Sequence, residues 1–150
     1  MLDIVRTDSS NPDLPELIAL LDSGLKAIDG DDAPFFAQYN KIDKIKYVVL
    51  AYQDGKAVGC GALKEFEPNV AEIKRMFVRE ENRGQGIAAK ILGDLESWAV
   101  ELSFTTAILE TGNKMKPAVH LYQKSGYQIT PNYGQYQGVD SSVCMKKLLR

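Results

Sequence analysis

Cysteine, histidine and tryptophan are scarce in this chain, with 2, 1 and 1 copies among 150 residues. The thiols of Cys60 and Cys144 cannot make a disulfide framework. With His120 as the single imidazole, no zinc site or other metal centre is expected. A basic excess is also missing: the formal net charge is −2 and the sequence pI about 5.4. That excludes a generic nucleic-acid binder, because neutralising phosphates takes clustered Lys and Arg. No apolar run reaches the roughly 18 residues of a membrane helix, so no membrane partner is expected. Residues 1–6 are too few and too charged for the apolar core of a secretory signal. Linkers, low-complexity tracts and internal repeats are lacking too. What remains is one globular domain over residues 1–150, expected in a reduced, cytoplasmic setting.

The chain instead alternates β-rich and helical stretches. Residues 2–6 read as a first strand. Asn11, Pro12 and Asp13 then supply a cap, a first helical position and a first-turn acid. Leu14, Leu17, Ile18, Leu21, Leu25 and Ile28 follow at helical spacing. A second short helix is expected over residues 33–40, carrying Phe35, Phe36 and Tyr39. Residues 47–52 and 57–63 read as two strands joined by a hairpin turn at Asp54 and Gly55. Residues 71–78 form the next strand. Ile87, Ile91, Leu95, Trp98 and Leu102 mark one stripe of a long helix. A strand at 106–111, a helix at 117–125 and a closing strand at 143–148 complete the chain, with an extra strand near 127–129. The order β-α-α-β-β-β-α-β-α-β describes a mixed α/β layout.

The most informative stretch joins the strand ending at Val78 to the helix beginning near Gly86. Glycines there let the backbone turn and approach a ligand closely. The free N–H groups of a helix start, with the positive end of its dipole, make a phosphate site. The spacing is not GxxxxGK[ST], and Gly84-Gln85-Gly86 lacks the third glycine of a dinucleotide fingerprint. What stands there is Arg83-x-x-Gly86-x-Ala88, preceded by Met76, Phe77 and Val78. Further on comes Ala118-x-x-Leu121-Tyr122-x-x-x-Gly126-Tyr127.

Both motifs resemble hallmarks of the GNAT superfamily of N-acetyltransferases, and the resemblance extends over about residues 45–148. It implies a central, mixed but mostly antiparallel sheet of six to seven strands flanked by about four helices. A splayed parallel strand pair would form the acetyl-CoA cleft. It also implies that Met76, Phe77 and Val78 border the cofactor, with backbone groups of the last two meeting the pantetheine arm. Amides across Arg83, Gly84, Gln85, Gly86, Ile87 and Ala88 would wrap the diphosphate. Lys74, Arg75, Arg79, Arg83 and Lys90 lie near this loop in sequence and could supply a local steering field or simply a solvated face.

Family members use the Tyr at position 122 as general acid. The chemistry is reasonable: a phenol, with a pKa of about 10, can donate to a departing thiolate, whose thiol has one of about 8.5. The plain alternative is a half-buried helix tyrosine packing on the sheet. Tyr127 reads as core, and His120 lies on another side of its helix. For the general base, Glu110 is the first candidate, since its spacing to Tyr122 matches the ribosomal-protein N-terminal acetyltransferase branch. Glu72 is the second, at a position resembling the histone acetyltransferase base, although the following loop is shorter here. Either could instead be a strand carboxylate paired with a lysine, and Lys74 shares a face with Glu72. The pattern's Asn seven residues before the Tyr is Met115 here. Asn113, two residues earlier, is then the candidate for a contact to the pantetheine.

Cys60 and Cys144 sit in strand-like runs without activating neighbours, so direct transfer in a ternary complex is expected over a covalent route. Phe35, Phe36, Tyr39, Pro131, Tyr133 and Tyr136 could line an acceptor pocket or pack over the sheet. The resemblance thus implies acetyl-CoA as cosubstrate, no metal, and an amine acceptor, with a small molecule favoured. A protein N-terminus or lysine is the alternative acceptor, and a non-catalytic acyl-CoA-binding module the alternative class. Small family members often form homodimers.

Overall fold

The computed structural model describes residues 1–29 and 45–149. Seven strands form one sheet in the order β1-β2-β3-β4-β5-β7-β6. They are β1 (Leu2–Thr7), β2 (Tyr47–Gln53), β3 (Lys56–Glu67), β4 (Val70–Val78), β5 (Thr106–Gly112), β6 (Gln128–Thr130) and β7 (Ser142–Leu148). Among the described residues there are three α-helices: α1 (Leu14–Asp29), α2 (Ile87–Glu101) and α3 (Lys116–Lys124). None of these is long and apolar enough to cross a membrane. The expected helix at 33–40, with Phe35, Phe36 and Tyr39, lies outside the described residues.

Strand β2 shows why the sheet carries helices on both faces. Val49 and Ala51 join the core under α2, with Ile91, Leu92 and Leu95. Val48 and Leu50 point the other way and pack with Leu14 and Leu17 of α1. A period of two therefore feeds two cores from one near-continuous apolar run. The helix α2 lies almost on the backbone of β3. A Cβ built on Gly59 would meet Ile91 Cδ1 at 2.9 Å, and one on Gly61 would meet Leu95 Cδ1 at 2.8 Å. These two glycines are what allows the close approach.

Local signals explain most boundaries. Asp54 and Gly55 take φ of 51° and 85°, as a type I′ hairpin turn requires. Helix α1 begins at Leu14 rather than Pro12. Asn11 Oδ1 accepts the Asp13 N–H at 2.9 Å, and its carbonyl accepts Leu14 N–H, so the capping residues form a turn ahead of the helix. Strand β3 runs four residues past the expected 63 because Lys64, Glu65 and Glu67 pair with the start of β4.

All neighbouring strands are antiparallel except β4 and β5, which pair in parallel from Val70↔Thr106 to Ile73↔Leu109 and no further. Beyond that point β4 is bulged. Its register on β3 steps from Cys60↔Phe77 to Ala62↔Lys74, and Arg75 takes a left-handed φ of 58°. The extra residue bends β4 where the ladder with β5 ends. A cleft opens there, as the resemblance implied.

Candidate active site

The loop after β4 is held by its own arginines. Arg79 Nε donates to the Ala57 carbonyl at 2.8 Å, and its guanidinium pairs with Glu16 at 3.1 Å. Arg83 Nε donates back to the Val78 carbonyl at 2.9 Å, with its guanidinium 5.7 Å from the Phe77 ring centroid. Gly84 and Gly86 both take positive φ, 80° and 79°, and a Cβ on either would meet nothing within 4 Å. The backbone there is turned outward into open space. Gly86 is the N-cap of helix α2, which has no side-chain cap and no acid in its first turn, and Lys90 N–H donates to the Gly86 carbonyl. The N–H groups of Ile87, Ala88 and Ala89 therefore have no carbonyl of the helix to donate to. An uncapped helix start behind two open glycines fits a diphosphate.

Of the five cations near this loop in sequence, three are tied inward. Arg79 is anchored as above. Arg75 pairs with Asp22, and Lys74 lies 3.9 Å from Glu72. Arg83 and Lys90 are exposed. The steering reading consequently narrows to these two residues.

The second half of the site is a cavity of about 110 Å³ at the β4–β5 opening. It is walled by β4 from Glu72 to Met76, by Glu110, Thr111 and Gly112 of β5, and by Met115, Ala118 and Tyr122 around α3. Leu21 and Leu25 of α1 and Tyr136 close it. The three residues singled out for acid and base chemistry, Glu72, Glu110 and Tyr122, thus line one space although they come from three elements.

Glu72 is buried at 3% exposure and accepts the Tyr133 hydroxyl on Oε2 at 2.8 Å. Lys74 is buried beside it, and burial pulls its ammonium below the ordinary lysine range, with Glu72 acting the other way. Glu110 is half-buried and accepts the Ser142 hydroxyl at 2.8 Å. Ser142 stands two positions along β7 from Cys144, the register partner of Glu110, so this is a diagonal cross-strand contact. Tyr122 is buried, its ring edge-on to Tyr127 at 6.0 Å. Burial first, and then the charge of Glu110, raise its phenol well above the usual tyrosine value, so the hydroxyl keeps its proton.

The late loop is stapled over this cavity. Asn132 Nδ2 donates to the carbonyls of Tyr136 and Val139, at 3.1 and 2.9 Å. Tyr133 stacks edge-on against Phe66 and Tyr136, at 5.1 and 5.7 Å. Asn113 is exposed after β5, its backbone N–H on the Ser141 carbonyl at 2.8 Å and its amide on Asp140 at 3.3 Å. That amide therefore holds the late loop. Met76 lines the cavity, while Phe77 and Val78 lead from it to the glycine loop.

Other side chains fall where a packing role puts them. Tyr127 is buried and His120 exposed. Both thiols are buried, Cys60 raised to about 12 and Cys144 to about 11, chiefly by burial, so neither offers a thiolate near neutrality. Among the described residues no cluster of His, Cys, Asp and Glu could hold a metal ion. Sequence reasoning missed Ser142, the Tyr133 hydrogen bond to Glu72, and Arg75 as a cavity residue. Only Tyr133 carried any signal, as an aromatic of the late loop.

This architecture agrees with known proteins. The model of the acetyltransferase (GNAT) family matches residues 14–127. A crystal structure of a candidate acyl-CoA N-acyltransferase from Klebsiella pneumoniae superposes with a TM-score of 0.84 at 30% identity, covering 100% of this chain and 99% of that one. An uncharacterized N-acetyltransferase of Schizosaccharomyces pombe is 32% identical over 87 residues, 57% of this chain. The match spans about half, 53%, of that relative's length. A GNAT family acetyltransferase from Elizabethkingia anophelis, solved with acetyl-CoA bound, shares the fold at a TM-score of 0.71 and 21% identity, over 98% of this chain and 97% of that one. With its glycine loop, opened parallel strand pair and family match, the chain belongs to the GNAT family of acetyltransferases and is an enzyme of that class.

Proposed function

We propose that the chain moves an acetyl group from acetyl-CoA directly to a primary amine within a ternary complex, and that the amine is a small molecule. The observation that carries this reading is the common cavity of Glu110 and Tyr122 at the point where the β4–β5 ladder ends. A carboxylate and a protonated phenol lining one cavity are the two proton-handling groups an aminolysis needs.

In this reading the amides of residues 83–88 hold the diphosphate, and Met76, Phe77 and Val78 border the pantetheine. Acetyl-CoA supplies the thioester. Glu110 takes a proton from the substrate ammonium, which has a pKa of about 10 in water. The nitrogen then attacks the carbonyl carbon, the carbon–sulfur bond breaks, and the Tyr122 hydroxyl donates to the departing sulfur. The surplus proton left on the attacking nitrogen returns to the phenol, and Glu110 passes its own proton to solvent. Ser142 fixes the carboxylate of Glu110, which is half-buried, whereas Glu72 is fully buried under the Tyr133 hydroxyl. This difference supports Glu110 as the base and leaves Glu72 as the second candidate. A cavity of about 110 Å³ supports a small acceptor over a folded protein surface.

A thiol-release screen over amines and peptides tests the reading directly. Turnover with small amines and none with peptides is expected. Binding of acetyl-CoA with no turnover of any amine would leave only a sensing module. In the pH profile, Glu110→Gln should remove the acidic limb of kcat/KM while Glu72→Gln keeps it. The reverse pattern would move the base to Glu72.

A further inference from the structure

The cavity holds two adjacent cations that the acetyl transfer described above does not use. Lys74 and Arg75 both line it, with side chains 7% and 2% exposed. In a regular strand neighbouring side chains leave on opposite faces, and the bulge at Arg75 is what brings both to one space. Arg75 is held in a left-handed conformation that is unfavourable for a residue with a side chain, and such outliers gather at functional sites.

The guanidinium is also incompletely matched. One end pairs with Asp22, itself 56% exposed, while Nε is buried with no hydrogen-bond acceptor among the described residues. A half-solvated carboxylate offsets little of the cost of burying a guanidinium, and an orphaned buried donor adds to that cost. Lys74 lies 3.9 Å from Glu72, and burial weakens its hold on its proton while the charges of Glu72 and Glu110 strengthen it. On the β5 wall stands Glu110, which suits an ammonium. One cavity thus presents cations on one strand and a carboxylate on the other.

Resting on the acetyl-transfer reading, we propose that the acceptor is an amine that also carries a carboxylate, which Arg75 and Lys74 hold while Glu110 faces the ammonium. The arrangement matches a zwitterion of amino-acid type. The carboxylate offsets the burial of the Arg75 guanidinium, with Lys74 beside it. Arg75 and Lys74 are then specificity residues, separate from proton transfer.

The test is calorimetric titration of the CoA-bound protein with matched pairs: phenylalanine against phenethylamine, tyrosine against tyramine, β-alanine against ethylamine. In at least one pair the carboxylate-bearing member should bind about tenfold or more tightly, the scale of a charge-assisted hydrogen bond. Arg75→Gln and Lys74→Gln should each erase that preference, with CoA affinity and circular dichroism reporting that the variant is folded. Should Arg75→Gln fail to fold, Lys74→Gln decides. Equal binding within every pair, preference for the decarboxylated member, no binding of any carboxylate-bearing amine, or a preference that survives both substitutions overturns the proposal. Failure of the two readings is separable. Thiol release that ignores the carboxylate keeps the transferase and discards this acceptor. Amino-acid binding without thiol release does the opposite.

Discussion

Strands β4 and β5 begin as one kind of structure and end as another. From Val70 to Ile73 and from Thr106 to Leu109 they are a parallel ladder whose Ala71, Ile73, Ala107 and Leu109 are buried in the core under α2. From Lys74 and Glu110 onward the ladder stops, one strand is bulged, and the walls carry Lys74, Arg75 and Glu110. The paired part spends its backbone groups on each other and, Glu72 apart, its side chains on packing. In the parted part the two strands no longer pair with each other, and their facing edges line the cavity. In the proposed reading, the step from Leu109 to Glu110 on β5 passes from a core side chain to the candidate base.

The sharpest way to test that division is to change those two neighbours separately. Glu110→Gln should lower kcat by about 10²–10⁴-fold, the usual span for general acid–base groups, with a urea midpoint near that of the parent. Leu109→Ala should instead cost about 2–5 kcal/mol in urea unfolding, as buried leucines do. If Glu110→Gln unfolded the protein without slowing it, the division would collapse. Next in size, Gly86→Glu should weaken acetyl-CoA binding about a hundredfold or more by calorimetry. It strains a left-handed position and puts a carboxylate where the helix start favours anions. Retained affinity would break the cradle reading.

Tyr122→Phe should slow thiol release by about tenfold to a hundredfold, less than Glu110→Gln, because a thiolate is already a fair leaving group. Unchanged release would reduce Tyr122 to a packing residue. The smallest effect concerns Lys74. Its buried ammonium releases its proton more easily than in the unfolded chain, so over that window the unfolded state binds more protons. Unfolding free energy should therefore rise with pH toward the ordinary lysine value of about 10.4. The tyrosines raised by burial pull the other way above about pH 10, so the measurement is the difference between parent and Lys74→Met. A slope identical in both would show Lys74 to be solvated.

Much of this was legible beforehand, and for physical reasons. Strands and helices announced themselves through periods of two and 3.6, the hairpin through Asp54 and Gly55, and the turn ahead of α2 through glycines whose positive φ no other residue takes easily. Local signals of that kind act over a few residues. The contacts that finish the cavity do not. Tyr133 reaches Glu72 across 61 positions and Ser142 reaches Glu110 across 32, and nothing in either neighbourhood marks the pairing. The bulge was equally silent, because its left-handed residue is Arg75 and not a glycine. Arg79 and Arg75 read as cations near a phosphate loop, yet Glu16 and Asp22 of α1 claim both.

Gly59 and Gly61 carry a consequence well away from where they sit. Because α2 rests against bare backbone at those points, the seating of the helix is set by two missing methyl groups. The amides proposed to hold a diphosphate are the first turn of that same rigid rod. An alanine at Gly61 would lift the rod and shift its tip, so the protein would lose grip on its nucleotide donor through a change that touches neither ligand nor loop.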